Sequence, residues 1–312
     1  MIGFAVRRLG WGLLVIWGVA TAVFFLTMSI PSDPAKMIAG PHARPETVRQ
    51  IRANLGLDEP LVVQYARFIT RLVVKLDLGR SYQRREEVLD GLIERFPRTA
   101  ALAVGAILVQ LLIGIPIGIL NAVRKGTWAD HTGMVGALFG ISAPTFWLGV
   151  MLLYFLSFQL GAFPMGGYGD TFLEHVHHLI LPCLTLGITG AAYYSRILRS
   201  EMLEVLGLDY VRTAKAKGLE MQDVVMRHVL RNSLIPVVTM LGLDVGVLMG
   251  GAVVTESIFA IPGIGKFAIE GIFNVDVPVI MGTVLFASAL MVLANILVDL
   301  VYAWLDPRIR LA

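Results

Sequence analysis

The sequence is short of cysteine, of charge and of any complete nucleotide-binding loop. Its single cysteine, Cys183, excludes a disulfide within the chain, and its place inside an apolar run makes it a packing residue. Charged residues occupy 16% of the 312 positions, against about a quarter in a soluble globular chain. The formal net charge is only +3, and the basic residues stand in short segments between apolar runs. That pattern gives no reason to assign nucleic acid as a partner. IPGIGK (261–266) approximates the phosphate-binding pattern G-x-x-x-x-G-K-[ST], but Ala260 and Phe267 stand where glycine and a hydroxyl residue are required. No cofactor is therefore assigned to this chain, and any ATP must be handled by a partner.

Apolar sequence is what the chain has in abundance: 56% of residues are hydrophobic and the mean hydropathy is +0.73. A membrane span needs about 20 apolar residues. Six runs qualify, at roughly 9–30, 99–123, 133–158, 178–196, 234–258 and 279–304. Only helices satisfy their own backbone in lipid at these lengths, so the expectation is an all-α integral membrane protein with six transmembrane helices. The first run is too long for the apolar core of a signal peptide, so residues 1–30 are expected to remain as an N-terminal transmembrane helix.

Short loops set the orientation. Arg7 and Arg8 precede the first run, Arg124 and Lys125 follow the second, and residues 159–177 contain no lysine or arginine. The segment from Arg196, where the fourth run ends, to the fifth run has seven basic residues, including Arg196 and Arg199, and the loop after the fifth has Lys266 alone. Both termini, including the tail 306–312, are expected in the cytoplasm. Residues 31–97 form a long first loop, which can translocate despite its arginines. RPETVRQIRANLGL has Pro45 at a helix start and Gly56 as a cap, LVVQYARFITRLVV is a second amphipathic stretch, and RREEVLDGLIERF a third that Pro97 should stop. A folded extracytoplasmic lobe is expected there.

Several polar features stand out within this frame. Ser142 in FGISAP is the one candidate nucleophile for a membrane hydrolase, yet its place before Pro144 fits a softened kink better. Pro116 and Pro182 interrupt two other runs. EHVHH brings His175, His177 and His178 close together, a spacing that could offer a transition metal two ligands on one helix face. Asp244 lies about ten residues into the fifth run, and an intramembrane carboxylate is a candidate for a translocation pathway. Gly242, Gly246 and Gly250 repeat every four residues as a helix-packing face, with Asp244 directed away from it. Glu256 and Asp299 lie near run ends, where solvation is expected.

Residues 210–236 read YVRTAKAKGLEMQDVVMRHVLRNSLIP. Asp209 is placed as an N-cap of a short helix from Tyr210 to Lys217, Gly218 as its C-terminal cap, and a second helix from about Met221 to Asn232 before Pro236. Contact with anionic lipid would explain the charge, but a lipid-lying helix has no need of a capped break.

The stretch resembles the cytoplasmic coupling loop of importer permeases in the ATP-binding-cassette (ABC) superfamily. Aligned on Gly218, only Ala214 of Arg212-Thr213-Ala214 matches the general E-A-A signature. The pattern Y-V-R-T-A-x-A-K-G-L, followed by R-H-x-L-R-N-x-L-I-P-V, is instead similar to the peptide and nickel branch. LGLDEPLVVQY (55–65), DLGRSY (77–82), FWLG (146–149), HLILPCLTLG (178–187), GGAVVTESIFAIPGIG (250–265) and LDPRIR (305–310) resemble, in order, the B-type dipeptide and oligopeptide subunits. The resemblance implies a type I ABC importer transmembrane domain over 98–305, with a coupling loop at 197–233, in a bacterial inner membrane. It implies as partners a second homologous permease of the C type, two ATPases that bind ATP and Mg, and an extracytoplasmic binding protein. Coupling would fall to Arg212, Ala214, Lys215, Lys217 and Gly218, with Leu219 as an apolar anchor. Peptide is the implied cargo, with nickel or another cationic solute as the alternative. Asp244 departs from the uncharged residue the resemblance leads one to expect, and an acid there could attract a peptide amino group or a cation.

Overall fold

The computed structural model describes the backbone of residues 2–28, 33–40 and 42–305, and the side chains of 7–28, 33–40 and 42–297. The expected tail 306–312, the end of the first run at 29–30 and the side chain of Asp299 lie outside the described residues. Within those residues the chain is helical, and the one β contact is an isolated bridge between Arg80 and Glu87. In chain order the helices are α1 (Ile2–Met28), α2 (Pro34–Ala39), α3 (Pro45–Leu55), α4 (Leu61–Thr70), α5 (Val88–Val123), α6 (Trp128–Ser142) and α7 (Thr145–Leu152). They continue as α8 (Phe172–Leu206), α9 (Asp209–Ala216), α10 (Met221–Asp223), α11 (Leu230–Met249), α12 (Val253–Ile258), α13 (Ile264–Phe273) and α14 (Val277–Leu305). Wider π-helical turns extend α4 (Arg71–Lys75) and α7 (Leu153–Gln159), and join α10 to α11 (Val224–Val229).

Five described stretches are long and apolar enough to cross a membrane: Arg7–Met28, Val88–Val123, Phe172–Leu206, Met221–Met249 and Val277–Leu297. The third expected span is instead a pair, α6 and α7 with its wide turn, bent by 100°. The bend falls at Ala143, which is extended (ψ 126°) because the following Pro144 disfavours helical backbone at that position.

The chain divides into two compact units. One gathers the described residues up to Thr99, Met249–Val253 and those from Pro262 onward. Here α14 packs along α1 and against α13. α3 begins at Pro45 and ends at Gly56, whose φ of +66° is the left-handed cap that glycine adopts without a Cβ penalty. Phe68 of α4 stacks on Phe24 of α1, Tyr65 meets the same ring edge-on, and the Tyr65 hydroxyl shares a 2.7 Å hydrogen bond with Thr21. The buried carboxylate of Asp276, just before α14, accepts hydrogen bonds from Ser81 Oγ (2.6 Å) and the amides of Tyr82 and Gln83 (both 3.2 Å).

Pro97 does not stop a helix, contrary to the sequence expectation. α5 runs through it, so the third amphipathic stretch and the second span form one rod of 36 residues. Val88 and Leu92 are fully buried against Ile264, Phe267 and Val279, and the Arg95 guanidinium lies 4.4 Å from the centre of the Phe267 ring. Each buried aliphatic side chain contributes about 1.5–3 kcal/mol. Together they outweigh the roughly 3 kcal/mol cost of a proline inside a helix.

The other unit comprises Ala100–Leu248 and Val254–Ile261. α6 and α7 both pack on α8, which opens with a capping box between Thr171 and Glu174 and absorbs Pro182 in its interior. The fifth expected run is shorter than its apolar sequence. α11 ends at Met249, so Gly250 lies past the helix and does not extend the face of Gly242 and Gly246, both of which are buried. The stop is explained by Gly251 in the first unit. Its φ is +113°, and a Cβ there would meet the Gly265 amide nitrogen at 2.7 Å. Glu256 on α12 is fully buried, where solvation was expected.

Candidate coupling surface and membrane carboxylate

α9 is a two-faced helix of eight residues. Val211 (fully buried) and Ala214 are three positions apart and share one face. They pack into a cluster with Val224, Val225 and Val229 of the following wide turn and with Tyr194, Leu198 and Met202 of α8. Arg212, Lys215, Lys217, Gly218 and Leu219 are all exposed on the other side, with Leu219 and Met221 as large apolar groups open to solvent. Ala214 is therefore a packing residue beneath the surface, and the other five form the surface.

Local chemistry holds this arrangement. The helix starts one residue earlier than the sequence indicated: Asp209 is its first residue, Leu208 occupies the cap position, and no side chain caps it. Asp209 pairs instead with Arg212 at 3.4 Å. At its other end the helix stops at Ala216, one residue short of the expected Lys217, which takes the cap position; Gly218 follows with φ +84°, its amide donating to the Lys215 carbonyl at 3.0 Å. Asn232 Nδ2 donates to the Tyr210 hydroxyl at 2.7 Å, and that hydroxyl donates to the His228 carbonyl at 3.2 Å, tying α9 to the helix beyond the turn.

Asp244 lies on α11 and is half-buried; the Tyr194 hydroxyl of α8 donates to its Oδ2 at 2.8 Å. Tyr194 itself is 1% exposed and belongs to the cluster that carries Val211 and Ala214. One packed core thus touches both the α9 surface and the membrane carboxylate. Sequence reasoning missed Tyr194, because a partner 50 positions away leaves no local pattern. It also missed Asp130. The carboxylate of Asp130, in the first turn of α6, receives Arg199 Nε (2.6 Å), Arg199 Nη2 (2.8 Å) and the Gly126 amide (2.9 Å). Only the position of Asp130 at a helix start was a visible signal, since anions are favoured there.

The histidines do not converge. His175 Nδ1 meets the Tyr168 carbonyl (3.0 Å), His177 Nε2 that of Ala162 (3.1 Å) and His178 Nδ1 that of Glu174 (2.8 Å). Among the described residues, no group of three or more His, Cys, Asp or Glu side chains is placed to hold a metal ion. Ser142 is exposed at the end of α6, and His131 on the same helix bonds the Thr127 carbonyl rather than the serine. The described contacts give Ser142 no histidine base.

Known proteins bear on these features. Residues 114–311 match the family model described as "Binding-protein-dependent transport system inner membrane component", and residues 1–103 match the model of its N-terminal region. The chain is 42% identical to the Escherichia coli protein named "Probable D,D-dipeptide transport system permease protein DdpB", over 97% of this chain and 96% of that one. It is 39% identical to the Escherichia coli "Dipeptide transport system permease protein DppB", over 99% of both chains. Among solved structures, a chain of the MetNI methionine ABC transporter in an inward-facing conformation superposes with a TM-score of 0.57 at 17% identity, covering 69% of this chain and 96% of that one. That likeness concerns the fold.

Proposed function

This chain belongs to the family of binding-protein-dependent transport system inner membrane components, and from that premise we propose that it forms half of the path by which an ABC importer takes up di- and oligopeptides. Its near full-length identity to two dipeptide permeases supports peptide as the cargo. In this reading the bent pair α6–α7 is one span, making six, with both termini in the cytoplasm. The region before the second span is the extracytoplasmic lobe that meets a binding protein. A second, homologous permease completes the path, and two separate ATPases hold ATP and Mg.

The observation that carries the coupling role is the exposed surface of α9, held on a buried base. An ATPase needs a protruding, rigid contact. Leu219 supplies an apolar knob, Arg212, Lys215 and Lys217 supply charge complementarity, and Gly218 supplies a turn that other residues adopt with strain. Val211 and Ala214 prevent the helix from sliding over its support. Displacement of α9 would then reach α11 both along the chain and through Tyr194. In the pathway, Asp244 would offer its carboxylate to the cationic amino end of a peptide.

Reconstitution of the complete importer in proteoliposomes tests the reading. Gly218→Pro combined with Leu219→Asp is expected to abolish substrate-stimulated ATP hydrolysis while leaving the permease in the membrane; unchanged hydrolysis and uptake would remove the coupling role. Asp244→Asn is expected to weaken uptake of peptides with a free amino terminus more than uptake of N-acetylated ones. Equal loss for both, with a lowered melting temperature, would leave Asp244 a structural partner of Tyr194.

A further inference from the structure

The first unit contains a cavity of about 750 Å³ that peptide translocation does not explain. One part of its wall is apolar, with Phe24 and Met28 from α1, Phe68 from α4 and Met281 from α14. Its rim is basic. Arg67, Arg71, Arg80 and Arg85 line it against two carboxylates, Asp77 and Glu87. Arg67 is neutralised by Glu59 at 2.6 Å. Arg71, Arg80 and Arg85 make no ion pair among the described residues, and Asp77 Oδ1 is occupied by the Gly79 amide at 2.7 Å. Three guanidiniums without an ion pair therefore line the cavity opposite the carboxylates of Asp77 and Glu87, Arg80 Nε donating to the Arg85 carbonyl at 2.7 Å, so basic groups are in excess.

The position of the cavity matches its chemistry. Phe24 and Met28 stand toward the C-terminal end of the apolar run 9–30, and Met281 is in the second turn of α14. The 22 residues of that first run cover about 33 Å as helix at 1.5 Å per residue, close to the hydrocarbon thickness of a bilayer. The cavity thus lies where acyl chains give way to headgroups. The adjoining helix shows the same preference. Val62 of α4 and Val73, Val74 and Leu76 beyond it point outward at 69–77% exposure. Arg67, Arg71 and Lys75 follow at intervals of four. An outward apolar stripe with flanking cations is the pattern of a helix lying in a membrane interface.

We propose that this cavity binds an anionic phospholipid, its phosphate held by Arg71, Arg80 and Arg85 and an acyl chain laid along Phe24, Phe68 and Met281, with the outward face of residues 62–76 immersed in the same leaflet. Tyr82 also lines the cavity; burial, with the Asp276 carboxylate nearby, pushes its hydroxyl up to about 12, so it remains a neutral hydrogen-bond donor. The site is independent of ATPase coupling and of the identity of the cargo.

Native mass spectrometry of the full-length protein, titrated in detergent with phosphatidylglycerol or phosphatidylcholine, tests this without any transport partner. A retained phosphatidylglycerol adduct and a much weaker phosphatidylcholine adduct are expected. Arg71→Gln with Arg85→Gln should weaken the phosphatidylglycerol adduct on the order of twenty-fold, since each basic residue near an anionic surface contributes about five-fold. Arg71→Lys with Arg85→Lys should restore most of it, which separates loss of charge from loss of fold. Equal retention of both lipids, or an unchanged adduct in the glutamine variant, would overturn the site. Displacement of the adduct by excess inorganic phosphate would overturn the lipid assignment, whereas persistence supports a contribution from the acyl chain.

Discussion

Two short amphipathic helices, α4 and α9, solve opposite problems with similar means. α9 turns small apolar residues, Val211 and Ala214, inward and leaves arginine and lysine facing out. α4 turns aromatic residues, Tyr65 and Phe68, inward and leaves Val62 and, beyond its end, Val73 and Val74 facing out. A polar outer face is stable in water and can be read by another protein. An apolar outer face is costly in water at about 25 cal/mol per Å² and is stabilised by lipid. The difference teaches that amphipathicity alone does not name a partner. The chemistry of the exposed side does.

The largest expected break in that contrast comes from beneath α9. Val211→Asp places a charge in a fully buried site and should cost on the order of 3 kcal/mol or more. Thermal unfolding of the detergent-solubilised protein would show it, and retention of the parent melting temperature would mean that α9 does not depend on its buried face. Next comes Phe68→Ala, which removes a stacked ring that is only partly buried, with an expected cost of about 2–3 kcal/mol in the same assay. A loss below roughly 0.5 kcal/mol would show that α4 is held by something other than its aromatic contacts.

The outer faces should behave differently. Val73→Asp is expected to change stability in detergent by no more than about 0.5 kcal/mol. In liposomes it should lift a fluorophore at Leu76 away from lipid-borne quenchers, and equal quenching in parent and variant would place the stripe in water. The smallest effect belongs to Lys215→Gln with Lys217→Gln. The melting temperature should stay within error, while association with the ATPases slows and loses part of its salt dependence, because exposed charges act on encounter more than on folding. Salt dependence identical to the parent would confine α9 docking to its apolar groups.

The legibility of the fold follows the range of the forces involved. Apolar length marked the spans, and the helices found there contain most of each expected run. Pro45 and Gly56 marked ends correctly, and Gly218 to within one residue, because a missing N–H or a left-handed backbone acts within a single turn. Pro97 misled because its local penalty competes with Val88 and Leu92 packing on residues more than 170 positions away. The fifth span ended early for a similar reason: Gly251 has to clear the backbone of Gly265. On α9 and the turn after it, five of the six positions singled out by the family resemblance are exposed, and Ala214 is buried. Nothing in the sequence separates Ala214 from its neighbours, because helix phase relative to α8 is a property of packing.

By itself the sequence determined the hydrophobic class, the approximate spans and the charged segment with its glycine break, since these depend on composition and on contacts within a turn. Tertiary structure decided which charges are neutralised. It paired Asp130 with Arg199, set Tyr194 on Asp244, seated Asp276 under the amides of residues 82 and 83, and left Arg71, Arg80 and Arg85 around one cavity. The physical reason is that Coulomb and hydrogen-bond energies fall away over a few ångströms, so their outcome depends on distances that only the folded chain creates.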